Sequence, residues 1–342
     1  MFDEKPLIVP IFIPNQGCPH RCVFCDQEKI TSQPSRPVDG QTVRHLLALA
    51  RSSSSFSRRR HREVAFYGGT FASLPEPKIR ELLGVVAPYL QEGTFHSVRV
   101  STRPDSLDEK KAALLKGLGV STVELGAQSL DDEVLRRTRR GHRAEDTERT
   151  VRLLKEKGFR VGIQLMPGLP GDSEETFLAT VQKVIRIKPD MVRLYPVVVV
   201  RGTELAQWVE RGMYRPLALE EAVRICAESC MLFEESGVPV IRIGLMTSAS
   251  LREKGQILHG PWHEGFGHLV RSEIYHRRIE AFLPGPGEAQ KISIRVPSKD
   301  IALLRGYKNE SIRRIEQRTK ALIDGILTDD SLPSGRVEVE AR

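Results

Sequence analysis

The run Gly17-Cys18-Pro19-His20-Arg21-Cys22-Val23-Phe24-Cys25-Asp26 places three cysteines at C-x3-C-x2-C spacing near the N-terminus. Three thiolates this close can ligate one iron–sulfur cluster, and because a four-iron cubane takes four ligands, one iron would stay open for another molecule. A closed structural zinc site with His20 as the fourth ligand is the alternative. The loop follows the apolar run Leu7-Ile8-Val9-Pro10-Ile11-Phe12-Ile13, which reads as a buried strand delivering it to a sheet end, and no second half-site follows as in a zinc knuckle. Both features favour iron. Cys226 and Cys230, four apart in a helical pattern, read as small buried hydrophobes.

The elements that must position this loop alternate along the chain. Strand candidates are residues 7–13, 63–67, 96–101, 120–125, 160–165, 191–195 and 238–243. Between them lie helical patterns at 40–51, 76–90, 108–117, 131–138, 144–157, 174–187 and 218–235. Repeated strand–helix units predict a parallel α/β sheet with helices outside, and ligands collect at the carboxyl ends of such strands. The segment Gly68-Gly69-Thr70 sits at one such end, where glycine lets main chain approach a ligand closely.

These residues resemble the radical S-adenosylmethionine (SAM) enzymes, whose mark is a C-x3-C-x2-C loop with an aromatic before the last cysteine. The middle of the chain narrows the likeness. Val123-Glu124-Leu125-Gly126-Ala127-Gln128-Ser129, Arg137-Thr138-Arg139-Arg140-Gly141-His142, Leu165-Met166-Pro167-Gly168-Leu169-Pro170-Gly171 and Leu194-Tyr195-Pro196 through Arg201-Gly202-Thr203 are similar to the radical domain of the Elongator catalytic subunit, from about residue 7 to about 245. Oxygen-independent coproporphyrinogen oxidases share fewer of these pieces and are the second resemblance.

The resemblance implies a partial (β/α)6 barrel, a [4Fe-4S] cluster on Cys18, Cys22 and Cys25, and SAM on the open iron near Gly68, Gly69 and Thr70. It aligns Gln128 and Arg140 with cofactor-contacting positions, Arg140 pairing the methionine carboxylate. Gln164 stands where an acidic residue usually binds the ribose. It further implies an external electron donor of the flavodoxin or ferredoxin kind and chemistry at the wobble uridine of tRNA. A tetrapyrrole radical enzyme, or an iron–sulfur RNA-binding protein without turnover, are the alternatives. Two departures stand out. Ser101-Thr102-Arg103-Pro104 has serine where the Elongator stretch has glutamate, and the residues after about 250 are too few for that subunit's acetyltransferase domain.

The 342 residues suffice for one barrel-sized domain and a small one, expected as residues 1–248, a connecting segment over the barrel mouth at 249–288, and 289–342. Neither a long apolar span nor a signal peptide is read, and the odd count of five cysteines suits a reducing compartment, so a cytoplasmic enzyme is expected. Basic residues outnumber acidic ones by 52 to 44, a net charge of +8 and a pI near 9.3, as a polyanion binder would show. Arg58-Arg59-Arg60-His61-Arg62 concentrates that charge in one loop.

After Pro284-Gly285-Pro286-Gly287, a strand at 291–297, a helix at 299–305, the turn Gly306-Tyr307-Lys308-Asn309 and a helix at 310–320 resemble a KH core, whose GxxG loop clamps a nucleotide backbone. Asn309 replaces the second glycine, which asparagine can do because it enters the left-handed region. Gly306, Lys308, Arg313 and Arg314 are the expected RNA contacts; a helical cap on the barrel is the alternative. In Gly260-Pro261-Trp262-His263-Glu264-Gly265-Phe266-Gly267-His268, the two histidines are candidate acid/base or structural groups.

Overall fold

The computed structural model describes residues 6–58 and 61–342. The basic run expected at 58–62 falls partly on residues 59–60, outside the described residues. The chain divides into two compact units, one of residues 6–218 and 233–262, the other of 219–232 and 263–342.

The first unit is built on β1 (Leu7–Phe12), β2 (Arg62–Tyr67), β3 (Ser97–Thr102), β4 (Val120–Gln128), β5 (Arg160–Leu165), β6 (Met191–Leu194), β7 (Val199–Val200), β8 (Val240–Ile243) and β9 (Ile257–His259). Seven of these form one parallel half-barrel in the order β1-β2-β3-β4-β5-β6-β8. All seven are the strands read from the apolar runs, one more than the six the resemblance implies. β7 and β9 pair separately as a short antiparallel ribbon. Pro10 sits in β1, at the sheet edge, where its missing N–H costs no ladder bond.

Val64, Phe66, Val98, Val100, Val123, Leu125, Val161 and Ile163 are buried without exposure, as strands covered on both faces must be. The flanking helices start where capping side chains place them. Asp39 accepts from Thr42 N at the helix Gly40–Arg51, and Ser173 accepts from Thr176 N at Glu174–Ile187. Among the described residues no helix is long and apolar enough to cross a membrane.

The second unit holds β10 (Lys291–Val296), β11 (Leu322–Thr328) and β12 (Glu338–Ala341) in the order β11-β10-β12, the first pair parallel and the second antiparallel. Helices Ile301–Arg305 and Glu310–Thr319 lie between β10 and β11 in sequence. Ile292, Ile294, Val296, Leu304 and Ile315 form its core together with Tyr275 and Ile279 of the helix Phe266–Ile279. The apolar alternation of 291–297 is therefore spent on that core.

Candidate functional site

Strand β1 hands the chain to the cysteine loop through Ile13, whose N–H donates to Tyr67 O at 2.8 Å. The loop is folded against the end of β2. Thr70 N donates to Gln16 O at 2.7 Å, and Gln27 Oε1 accepts from Asn15 N at 2.5 Å and Gly69 N at 2.7 Å. Gly69 has φ +58°, and a Cβ there would lie 2.3 Å from Gln16 O; a Cβ on Gly17, φ +73°, would lie 2.2 Å from Thr70 O. Glycine is required at both places by loop-to-loop packing as much as by any ligand.

Cys18, Cys22, Cys25, Gly68, Gly69, Thr70, Gln128, Arg140 and Gln164, all the cluster and cofactor residues read from the sequence, line one cavity of about 480 Å³ at the carboxyl ends of the strands. All three cysteines are free. Cys18 Sγ lies 3.3 Å from Thr70 Oγ1, and Arg140 Nη1 donates to Cys22 Sγ at 3.0 Å while its Nη2 donates to Gly126 O. Burial raises the Cys18 thiol and pushes Cys25 up to about 12, with the neighbouring cysteines adding to both. Among the described residues no three His, Cys, Asp or Glu side chains converge as for a single ion.

β4 bulges between Leu125 and Gln128, and Gln128 takes φ +70°, a conformation that costs a non-glycine residue energy. Its Oε1 is buried without a partner. So are Ser101 Oγ, Arg140 Nε and Arg193 Nε, and all four residues line the cavity. Beneath them Glu124, 1 % exposed, is shared by Arg99, by Arg193 at 2.8 Å and by Gln164 Nε2 at 3.0 Å. Burial opposes the Glu124 charge, but Arg193 and Arg99 outweigh it and hold the carboxyl below its usual range. Gln164 thus reaches the cavity as the end of an ionic network.

The candidate RNA contacts belong to the second unit. Gly306, with φ +65° and ψ −175°, is followed by left-handed Lys308 and Asn309. Lys308 Nζ lies over the exposed Tyr307 ring, Arg313 Nη1 donates to Lys308 O at 3.0 Å, and Arg314 is engaged by Glu273. His263 Nδ1 accepts from Gly265 N, and its ring stands edge-on to Tyr307. Sequence reading missed Arg193 and Arg242, which also line the cavity beside Tyr195, a residue it had quoted only as part of a motif. The available signal was a charged or polar residue at the end of an apolar strand.

A family model described as the radical SAM superfamily matches residues 12–184, half of the chain, and a radical SAM C-terminal domain matches 189–276. The chain belongs to the radical SAM superfamily. As a radical SAM protein it is 41% identical over 129 residues, 37% of the chain, to the tRNA uridine(34) acetyltransferase of Methanocaldococcus jannaschii. It is 32% identical over 230 residues, 58% of the chain, to that of Dehalococcoides mccartyi. The matched segments make up 24% and 50% of those relatives' own length. In fold it is similar to the archaeal Elp3 of Methanocaldococcus infernus, with a TM-score of 0.61 at 24% identity, covering 80% of this chain and 62% of that one.

The cavity suits the cofactors typical of this superfamily. The raised Cys18 and Cys25 thiols become thiolates more readily beside a strong cation, which an iron cluster provides. The partnerless donors and acceptors of Ser101, Gln128 and Arg140 suit a polar ligand such as SAM.

Proposed function

We propose that this radical SAM protein holds a [4Fe-4S] cluster on Cys18, Cys22 and Cys25, binds SAM in the same cavity and acts on the wobble uridine of tRNA. The observation that carries the reading is the convergence of all nine cofactor candidates on one cavity that also holds buried, partnerless polar atoms. Bound there, the cofactors would supply a 5′-deoxyadenosyl radical for hydrogen abstraction, after one-electron cleavage fed by an external flavodoxin- or ferredoxin-like donor.

The chain's own contribution is positioning and exclusion. Arg140, fixed by Gly126 O and Cys22 Sγ, offers a guanidinium to the methionine carboxylate. Gln128 and Gln164 offer amides to the amino and ribose groups. Phe24, Ile8, Phe12 and Leu245 give the cavity an apolar wall that keeps water from a reactive carbon.

The tRNA half of the reading rests on the named relatives, on the +8 net charge and on the loop at Gly306 with Lys308 and Arg313 beside it. Filter binding of bulk tRNA at a series of salt concentrations tests it. Wild type should bind with a steep salt dependence, and the Lys308→Gln, Arg313→Gln double variant should bind more weakly, its log–log slope smaller by about 2, one per lost phosphate contact. Salt-independent binding, or none, would contradict the RNA reading.

A further inference from the structure

The charge of the cavity wall is unbalanced. Arg21, Arg103, Arg140, Arg193 and Arg242 line it, and among the described residues no aspartate or glutamate does. Four of the five are accounted for: Arg21 is solvent-exposed, Arg103 is engaged by Asp105 at 2.8 Å, Arg140 by Gly126 O and Cys22, and Arg193 by Glu124. Arg242 has only Gly244 O, at 3.4 Å, and no carboxylate partner among the described residues. Glu124, beneath the wall, is already divided among Arg99, Arg193 and Gln164.

Strand register makes the imbalance local. Gln164 of β5 is paired with Arg193 of β6, and Arg193 with Arg242 of β8, so two guanidinium side chains stand on neighbouring rungs at the same sheet end. Like charges directly opposite on paired strands destabilise a sheet. Arg193 is held in place by Tyr195 OH at 3.1 Å and Tyr67 OH at 2.9 Å, and its buried Nε has no acceptor.

We propose that Arg242, backed by Arg193, is the anchor of a second ligand subsite in this cavity, taking an oxyanion: the carboxylate or phosphate of the molecule on which the radical chemistry is spent. The proposal rests on the cavity being the SAM site only for the role of that ligand; the binding itself needs no cluster. Carboxylate and phosphate share the geometry a guanidinium fork recognises.

The test is thermal unfolding of the full chain at fixed ionic strength with inorganic phosphate, malonate or a uridine hexanucleotide as titrant. The variants are Arg242→Gln and Lys308→Gln, Arg313→Gln, with retention of labelled SAM by the reconstituted proteins measured alongside. At least one titrant should stabilise wild type and the double variant, with apparent affinity reduced at least about tenfold in Arg242→Gln, as loss of a charged hydrogen-bond partner implies. SAM retention should be unchanged in Arg242→Gln. An effect confined to phosphate or malonate marks a small ligand, and one confined to the hexanucleotide marks an RNA phosphate; either supports the oxyanion subsite. No stabilisation of wild type, equal stabilisation of Arg242→Gln, or loss only in the double variant overturns it. Failure of SAM retention in all three proteins would instead strike the cofactor reading and leave the oxyanion result to stand by itself.

Discussion

Asp172 ends the Gly168-Leu169-Pro170-Gly171 turn, its Oδ2 accepting from Gly168 N at 3.1 Å while Oδ1 is buried without a partner. Burial pushes its carboxyl up to about 7. A raised carboxyl holds its proton in the folded chain after the unfolded chain, near pH 4, has released it, so its contribution is complete at low pH and lost as pH rises through the folded value. The stability of wild type relative to Asp172→Asn should therefore fall between about pH 4 and about pH 7, as paired melting temperatures across this window will report. Glu124 has the opposite sign. Its lowered carboxyl stabilises the fold above the usual carboxylate range and ceases to do so on acidification through its folded value. Glu124→Gln leaves Arg193 buried without its carboxylate, and Arg99 with Glu63 alone at 2.8 Å, and should cost about 3–5 kcal/mol in chemical denaturation at neutral pH. Of the cavity residues, the cysteines were legible in sequence because their spacing is local, and Gln128 and Arg140 only through the family resemblance. Glu124, Arg193 and Arg242 were not, because what assembles them is register across β4, β5, β6 and β8, which residue order alone does not display.

At the scale of elements, apolar runs marked every strand of the half-barrel because a parallel sheet covered on both faces tolerates few polar residues. The ribbon of β7 and β9 escaped notice, since two- and three-residue strands have no readable period. Glycine was expected at 68–69 for access to a ligand, and the packing adds a second reason: the turn after β2 interlocks with the cysteine loop, Gly69 against Gln16 and Gly17 against Thr70. Gly69→Ala must place a Cβ where Gln16 O now sits, at positive φ, and should destabilise by at least about 2 kcal/mol. Because the displaced segment carries Cys18, iron content after reconstitution should fall in parallel. A variant that kept full stability and full iron would show that the interlock is dispensable.

For the whole molecule, the division into a half-barrel and a small βααβ-based unit joins a cofactor cavity and a candidate nucleic-acid loop in one chain. The boundaries were harder to read than the elements. The helical pattern at 218–235 contributes residues to both units, and the stretch after residue 260, poor in period at its start, becomes the helix Phe266–Ile279 whose Tyr275 and Ile279 complete the second core. Such a contribution depends on partners far along the sequence. The central claim is that the thiol-lined cavity is a radical SAM centre. It is tested most directly by reconstituting wild type and Cys22→Ala anaerobically with iron and sulfide, then assaying 5′-deoxyadenosine from SAM and dithionite with and without tRNA. Wild type alone should yield deoxyadenosine, in an amount changed by tRNA; a wild-type protein with a full complement of iron and sulfide that yields none would show that the cavity is not a radical SAM centre.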